Sequence, residues 1–197
     1  MAGSAVESRV EELLPELRQP SAYPDATVSV DLIETHISWV FLTCRHVYKV
    51  KKPVQFDFVD FHTLEQRRAA CHAEIELNRR MAENVYLGVV PIIVEDSGKV
   101  IVDPPQTAEG STVDWAVKMR RLPAAASLDR LLVEGNLDLA WIPRIIERLS
   151  AFFDSAMPTS LSPEQYLERF ERHIRDNHAV LAGTDDPHPV ARITRAQ

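Results

Sequence analysis

A chain of 197 residues, 45% apolar and 26% charged, is long enough for one well-packed core or two small lobes and has the make-up of an ordinary globular protein. Its formal net charge of −7 argues against nonspecific binding to nucleic acid or to an anionic membrane, both of which need a basic field, yet leaves room for a local basic site. Two cysteines, Cys44 and Cys71, are too few for a disulfide framework; with no apolar run of membrane-spanning length and no signal-peptide pattern, a cytoplasmic protein is expected.

Val6, Val10, Leu13, Leu14 and Leu17 recur at helical spacing, which predicts an amphipathic helix over residues 5–18, weakened by Pro15 and ended by Pro20. Alternation over Val28–Ile33 predicts a strand. Next come two β-prone runs, His36–Leu42 and Val47–Val50, separated by Thr43-Cys44-Arg45-His46, which is the pattern of a hairpin. Strand alternation puts Val47, Lys49 and Lys51 on one face and Tyr48, Val50 and Lys52 on the other. Taken alone, such lysines are most simply explained as protection of an edge strand against unwanted pairing.

After Pro53 an aromatic-rich stretch, VQFDFVDFH, reads as an extended connection. Thr63 with Gln66 forms a capping-box pattern that opens a helix over residues 64–82. Its apolar stripe is expected to contain Ala70, Leu77 and Met81, with Glu74 on the same side and in need of a cation there. Glu76 is placed on a polar outer face with Arg80, as an i,i+4 pair. VVPIIVED and KVIVD around Ser97-Gly98 predict a second hairpin, and VDWAVKM a third antiparallel strand.

From Leu122 onward the pattern is helical: a Pro-Ala connector, a short helix capped by Ser127 and closed by Gly135, then a longer one from Asp138 to Phe153, kinked at Pro143. Ser162-Pro163-Glu164-Gln165 is a strong start for a last helix ending near Gly183. The final residues, 183–197, lack periodicity and are expected to be a flexible tail.

This order fits an α+β, protein-kinase-like layout. A small antiparallel-sheet lobe with one long helix would occupy residues 1–122, followed by a partial helical lobe over 123–182. In that layout a lysine on the third strand contacts nucleotide phosphates and is held by a helix glutamate. His46-Val47-Tyr48-Lys49 falls on the kinase Val-Ala-Ile-Lys pattern, which makes Lys49 the first candidate, Lys51 the reserve, and Glu74 the partner.

The segments YPDATVSVDLIETHISWVFLT, VYKVKKPVQFDFVDFHTLEQRRAACHAEIELNRRM, YLGVVPI and AVKMRRLP resemble the bacterial aminoglycoside phosphotransferase-like family, some members of which are fused to a P-loop ATP-binding domain. The likeness covers residues 20–155. It implies ATP bound between two lobes, Lys49 on the phosphates, Glu74 orienting it, and Met119, Arg120, Arg121 and Leu122 as a hinge whose backbone meets the adenine edge. It also implies magnesium and a small-molecule acceptor of unknown identity; the net charge, for its part, predicts no nucleic-acid or membrane partner.

The chain departs from the family at Cys44, where a turn glycine is frequent, and at Phe153, where a histidine is frequent. No His-Gly-Asp occurs, and Asp185 and Asp186 lie outside any such pattern. The catalytic loop and magnesium ligands are therefore expected beyond Gln197, with this chain inactive alone and its exposed helices giving either self-association through residues 139–181 or low solubility. The alternative is a non-catalytic nucleotide-binding or protein-interaction module that keeps the fold. A metal site built from His36, Cys44, His46, His62, Cys71 and His72 is set aside, because Cys44-x-His46 has no second matching pair.

Overall fold

The structure, a computed structural model, describes residues 9–56, 58–157 and 160–181. It is of the α+β class, as expected. The described residues divide into two compact units, one up to Phe152 and one from Phe153 onward. Among the described residues, no helix is long and apolar enough to cross a membrane.

A six-stranded antiparallel sheet organises the first unit. Its strands are β1 (Asp31–Glu34), β2 (Ser38–Leu42), β3 (His46–Lys51), β6 (Tyr86–Val94), β7 (Val100–Val102) and β8 (Ser111–Arg120), in the order β1-β2-β3-β8-β6-β7. The hairpin joining β2 and β3 matches the sequence pattern. Thr43 closes its turn, the Thr43 amide donating to the His46 carbonyl at 2.9 Å. β3 lies between β2 and β8 and is not an edge strand, which removes edge protection as the reason for its lysines. The first strand starts three residues later than its alternation suggested. Residues 53–62 are also more regular than expected: β4 (Gln55–Phe56) and β5 (Val59–Asp60) make a separate two-stranded ribbon on which Phe56 and Phe58 stack, exposed, 5.7 Å apart.

One face of the large sheet carries the main core. Trp39, Phe41, Tyr48, Val50, Ile92, Val100, Val102 and Ala116 pack there with Val10, Leu17 and Tyr23 from the N-terminal segment. That segment is not one continuous helix. The described part consists of α1 (Arg9–Glu12) and α2 (Leu14–Leu17), followed by a 3-10 turn at Pro20–Ala22. Pro15, inside the expected span, sits at the start of α2, where its missing N–H costs no helical bond. Residues 5–8 lie outside the described part.

The opposite face is covered by α3 (Leu64–Ala82), whose capping box is complete: the Gln66 amide donates to the Thr63 hydroxyl, and the Thr63 amide to the Gln66 side chain. The helix turns a different stripe inward than its apolar residues indicate. Leu77 is 61% exposed, whereas Arg67, Cys71 and Ile75 are buried. Arg80 does not pair with Glu76; its guanidinium lies over the Phe152 ring, 4.6 Å from the centroid.

Two glycines are required by geometry. Gly98, at φ +82, makes the tight turn between β6 and β7. A Cβ on Gly110 would stand 2.8 Å from the Val94 carbonyl oxygen, which belongs to backbone fixed by strand pairing. Gly110→Ala is therefore expected to lower stability by about 1–3 kcal/mol, read as a shift of the urea midpoint; an unchanged midpoint would show that the strand ends yield freely.

Past the sheet come α4 (Leu128–Val133) and α5 (Trp141–Asp154). Ser127 does not cap α4 with its side chain; its hydroxyl donates to the Ala124 carbonyl instead. Pro143 lies in the first turn of α5, where the amide has no helical acceptor, so no kink is required. Leu139, Trp141, Ile145, Ile146 and Leu149 are left partly or largely exposed. In the second unit, α6 (Pro163–Leu181) opens with the expected capping box between Ser162 and Gln165. Residues 183–197, with Asp185 and Asp186, lie outside the described residues.

Candidate nucleotide site

Position on the sheet decides what the β3 lysines can meet. Lys49 faces Val40 on β2 and Val117 on β8, so it stands mid-sheet on the α3 side. Cross-strand partners share a face, which places Ile33, Val40, Leu42, Val47 and Met119 on that side as well. α3 covers Val117 and reaches toward Tyr86, Val89 and Met119, while Ile33 remains exposed and Val40 and Val47 only partly buried. An apolar ledge thus runs from Lys49 to the end of β8.

Glu74 projects from α3 onto the lysines. Lys49 Nζ donates to its Oε1 at 2.8 Å, and Lys51 Nζ donates to its Oε2. The Lys51 side chain is 6% exposed and its ammonium lies over the Phe61 ring, whereas Lys49 is 27% exposed. Burial pushes the Glu74 carboxyl up, but the hydrogen bonds and charges of the two lysines outweigh it and hold the group below the usual carboxylate range. Lys52 belongs to the other face, bonding Glu34 at 2.5 Å and lying over the Trp39 ring. The assignment of Lys49 and Lys51 to one face and Lys52 to the other is the one strand alternation predicted.

The four hinge candidates divide. Met119 and Arg120 are the last residues of β8 and pair with Val47 and His46. The amides of Arg120 and Arg121 are already used, donating to the carbonyls of Val85 and Arg45 at 2.8 and 2.9 Å. The Arg121 guanidinium is also engaged, donating to the Thr43 carbonyl at 2.6 Å and lying 3.6 Å from Asp31. Leu122 follows, exposed, and its amide donates to no carbonyl among the described residues.

Two groups of polar residues escaped the sequence reading. Arg67 and Asp114 form an ion pair between α3 and β8 with neither side chain exposed by more than 1%. Arg67 Nε reaches both carboxylate oxygens at 3.1 and 2.9 Å, and its Nη1 donates to the carbonyls of Phe61 and His62. A β-bulge at Ile92/Ile93 in the β6–β8 pairing accompanies the buried carboxylate. Arg67 stands seven residues before Glu74, so the helical repeat that singled out Glu74 also reaches Arg67. On the opposite face of the sheet, Asp25 accepts from Thr43 at 2.6 Å and contacts His46 Nδ1 at 2.8 Å, tying the β2–β3 turn to the preceding loop.

The turn between β1 and β2, Thr35-His36-Ile37, carries no glycine. Both Glu74 oxygens are held by lysines. Among the described residues, no three histidine, cysteine, aspartate or glutamate side chains gather as a metal site.

Over 109 residues, 55% of its length, the chain is 50% identical to the uncharacterized proteins Mb2027c of Mycobacterium bovis and Rv2004c of Mycobacterium tuberculosis. The match spans about a fifth of those proteins, 20% of each. No family model matches the chain. No solved structure matches it either.

Proposed function

We propose that the sheet and α3 form the nucleotide-binding lobe of a protein-kinase-like, small-molecule phosphotransferase of the aminoglycoside phosphotransferase-like type. The observation that carries this reading is the 2.8 Å ion pair between Lys49, on the third strand of the sheet, and Glu74, on the long helix that follows. An ion pair alone is also an ordinary structural tie. Its setting favours the nucleotide: Lys49 keeps solvent access beside an apolar ledge of Val40, Val47 and Met119, and the unused Leu122 amide follows that ledge's far end. ATP fits these residues, with its base on the ledge and its phosphates toward Lys49.

When bound, ATP supplies the phosphoryl group. The chain's own residues hold and orient it: Lys49 offers a point charge to the phosphates, Glu74 keeps that lysine at the site until the ligand arrives, and the sheet excludes water from one side. Among the described residues no carboxylate set is gathered that would hold magnesium. A second reading, a nucleotide-binding or protein-interaction module without catalysis, is favoured by one observation: the sequence contains no His-Gly-Asp loop. On either reading these 197 residues alone are expected to transfer no phosphate, and ATP turnover by the purified chain that is lost in Lys49→Ala would overturn this.

Titration of the purified chain with a fluorescent ATP analogue and magnesium tests the site. Lys49→Ala is expected to weaken binding roughly 10-fold or more, the worth of a hydrogen bond to a charged group, while Lys52→Ala on the other face changes it by less than about 2-fold. Equal losses would show that the phosphates do not lie on the α3 side of β3.

A further inference from the structure

Glu74 carries two lysines where one would neutralise it, and the two are not equivalent. Lys51 is almost wholly enclosed, between the Phe61 ring and the helix. Its cross-strand neighbour is Ser38, whose buried hydroxyl has no hydrogen-bond partner. Glu74 is the anion available to Lys51, and an ammonium enclosed without one is strongly disfavoured. Lys49 stands toward solvent and loses far less by turning away. Asp114, the other carboxylate acting on the same Cys71, is paired with Arg67, and two further titratable groups nearby are neutral at ordinary pH. Burial pushes the Cys71 thiol, on α3 itself, up to about 12, and raises the Tyr86 phenol on β6. Two ammoniums and one carboxylate leave the site with one net positive charge.

We propose that Lys51 is the resident counter-ion of Glu74, a positioning residue that keeps the carboxylate ionised and α3 in register, so that Lys49 is the lysine released toward an anionic ligand. The identity of that ligand as a nucleotide phosphate rests on the function proposed above; the division of labour between the lysines does not. With a single lysine, turning it to a phosphate would strip the buried carboxylate of its charge partner. With Lys51 in place, Glu74 stays compensated in both states.

The first measurement needs no substitution. In nitrogen-15 spectra of the lysine side chains, the Lys51 ammonium is expected to exchange its protons with water more slowly than that of Lys49; the reverse order would overturn the proposal. A carbon-13 titration of the Glu74 carboxyl follows in three variants. Lys51→Met is expected to move its midpoint up clearly more than Lys49→Met does, and Lys51→Arg to restore it. Equal shifts, or a larger one in Lys49→Met, would also overturn it. In the ATP-analogue titration, Lys51→Met is expected to weaken binding about 3- to 10-fold with Lys49 intact, because Glu74 now retains Lys49. Adding Glu74→Gln to Lys51→Met is expected to recover most of that loss; binding equal to wild type in Lys51→Met would refute the release of Lys49. If the unaltered chain does not bind the analogue, the nucleotide function fails, and the two spectroscopic measurements still decide the role of Lys51.

Discussion

Arg67→Met is expected to destabilise the protein by about 3–5 kcal/mol in a urea titration, the range for breaking one side of a buried ion pair. Arg67 and Asp114 are both fully buried, and the guanidinium makes four hydrogen bonds, two to the carboxylate and two to the carbonyls of Phe61 and His62. Methionine fills much of the volume and satisfies none of these acceptors. Asp114 would then keep a single donor, the Trp115 amide at 2.8 Å. Arg67→Lys is expected to rescue little, since one ammonium cannot reproduce the fork that spans carboxylate and carbonyls. Arg67→Met combined with Asp114→Leu should recover a large part of the loss, because the uncompensated charge goes with its partner. A loss below about 1 kcal/mol for Arg67→Met would mean that water reaches the site and replaces the guanidinium.

The second large effect concerns Glu74. At neutral pH, Glu74→Gln leaves two ammoniums beside a neutral amide, one of them nearly enclosed, and is expected to cost about 2–3 kcal/mol. This cost depends on pH in a fixed direction. The folded-state carboxyl titrates below its usual range, so its contribution to stability is fully present above the unfolded value of about 4.3 and is lost as pH falls through the folded value. Urea titrations of wild type and Glu74→Gln should therefore differ most near pH 7 and converge as pH falls through the folded value, below the ordinary carboxylate range. A gap that stays constant over this range would show that the ion pairs contribute nothing and that the introduced amide is penalised for its shape alone.

The sequence disclosed those parts of the fold that depend on local pattern. Alternation and a short polar break identified the β2–β3 hairpin, and the capping box placed the start of α3 at Leu64. Alternation also sorted Lys49 and Lys51 from Lys52, because residues two apart in a strand share a face whatever the strand packs against. What stayed hidden depends on tertiary partners. The inward stripe of α3 is set by Arg67, a residue type that reads as surface until Asp114, 47 positions away, is placed beside it. Leu77, which reads as core, is exposed for the same reason: the helix is rotated to deliver Arg67, Cys71 and Ile75 to the sheet. The interior position of β3 depends on β8, whose pairing with β3 spans some seventy residues and leaves no trace in either strand alone. The second counter-ion of Glu74 was visible as a lysine but not as a role, since only the structure separates an enclosed ammonium from one at the rim.

The anchors of α3 also set what the helix can do. Arg67 clamps its first turns to β8 and to the carbonyls of Phe61 and His62, and Arg79 clamps its far end to the carbonyls of Tyr86 and Leu87. Glu74 lies between them, roughly 10 Å along the axis from Arg67 at about 1.5 Å per residue. A beam held at both supports neither swings nor slides at small cost. A tilt of about 10° about the first support would displace Glu74 by roughly 2 Å, enough to part it from Lys49, but only by tearing loose the second. On the proposed function, control by helix displacement would be costly, and an arriving ligand would find the lysine–glutamate geometry already held, with the Lys49 side chain left to rearrange.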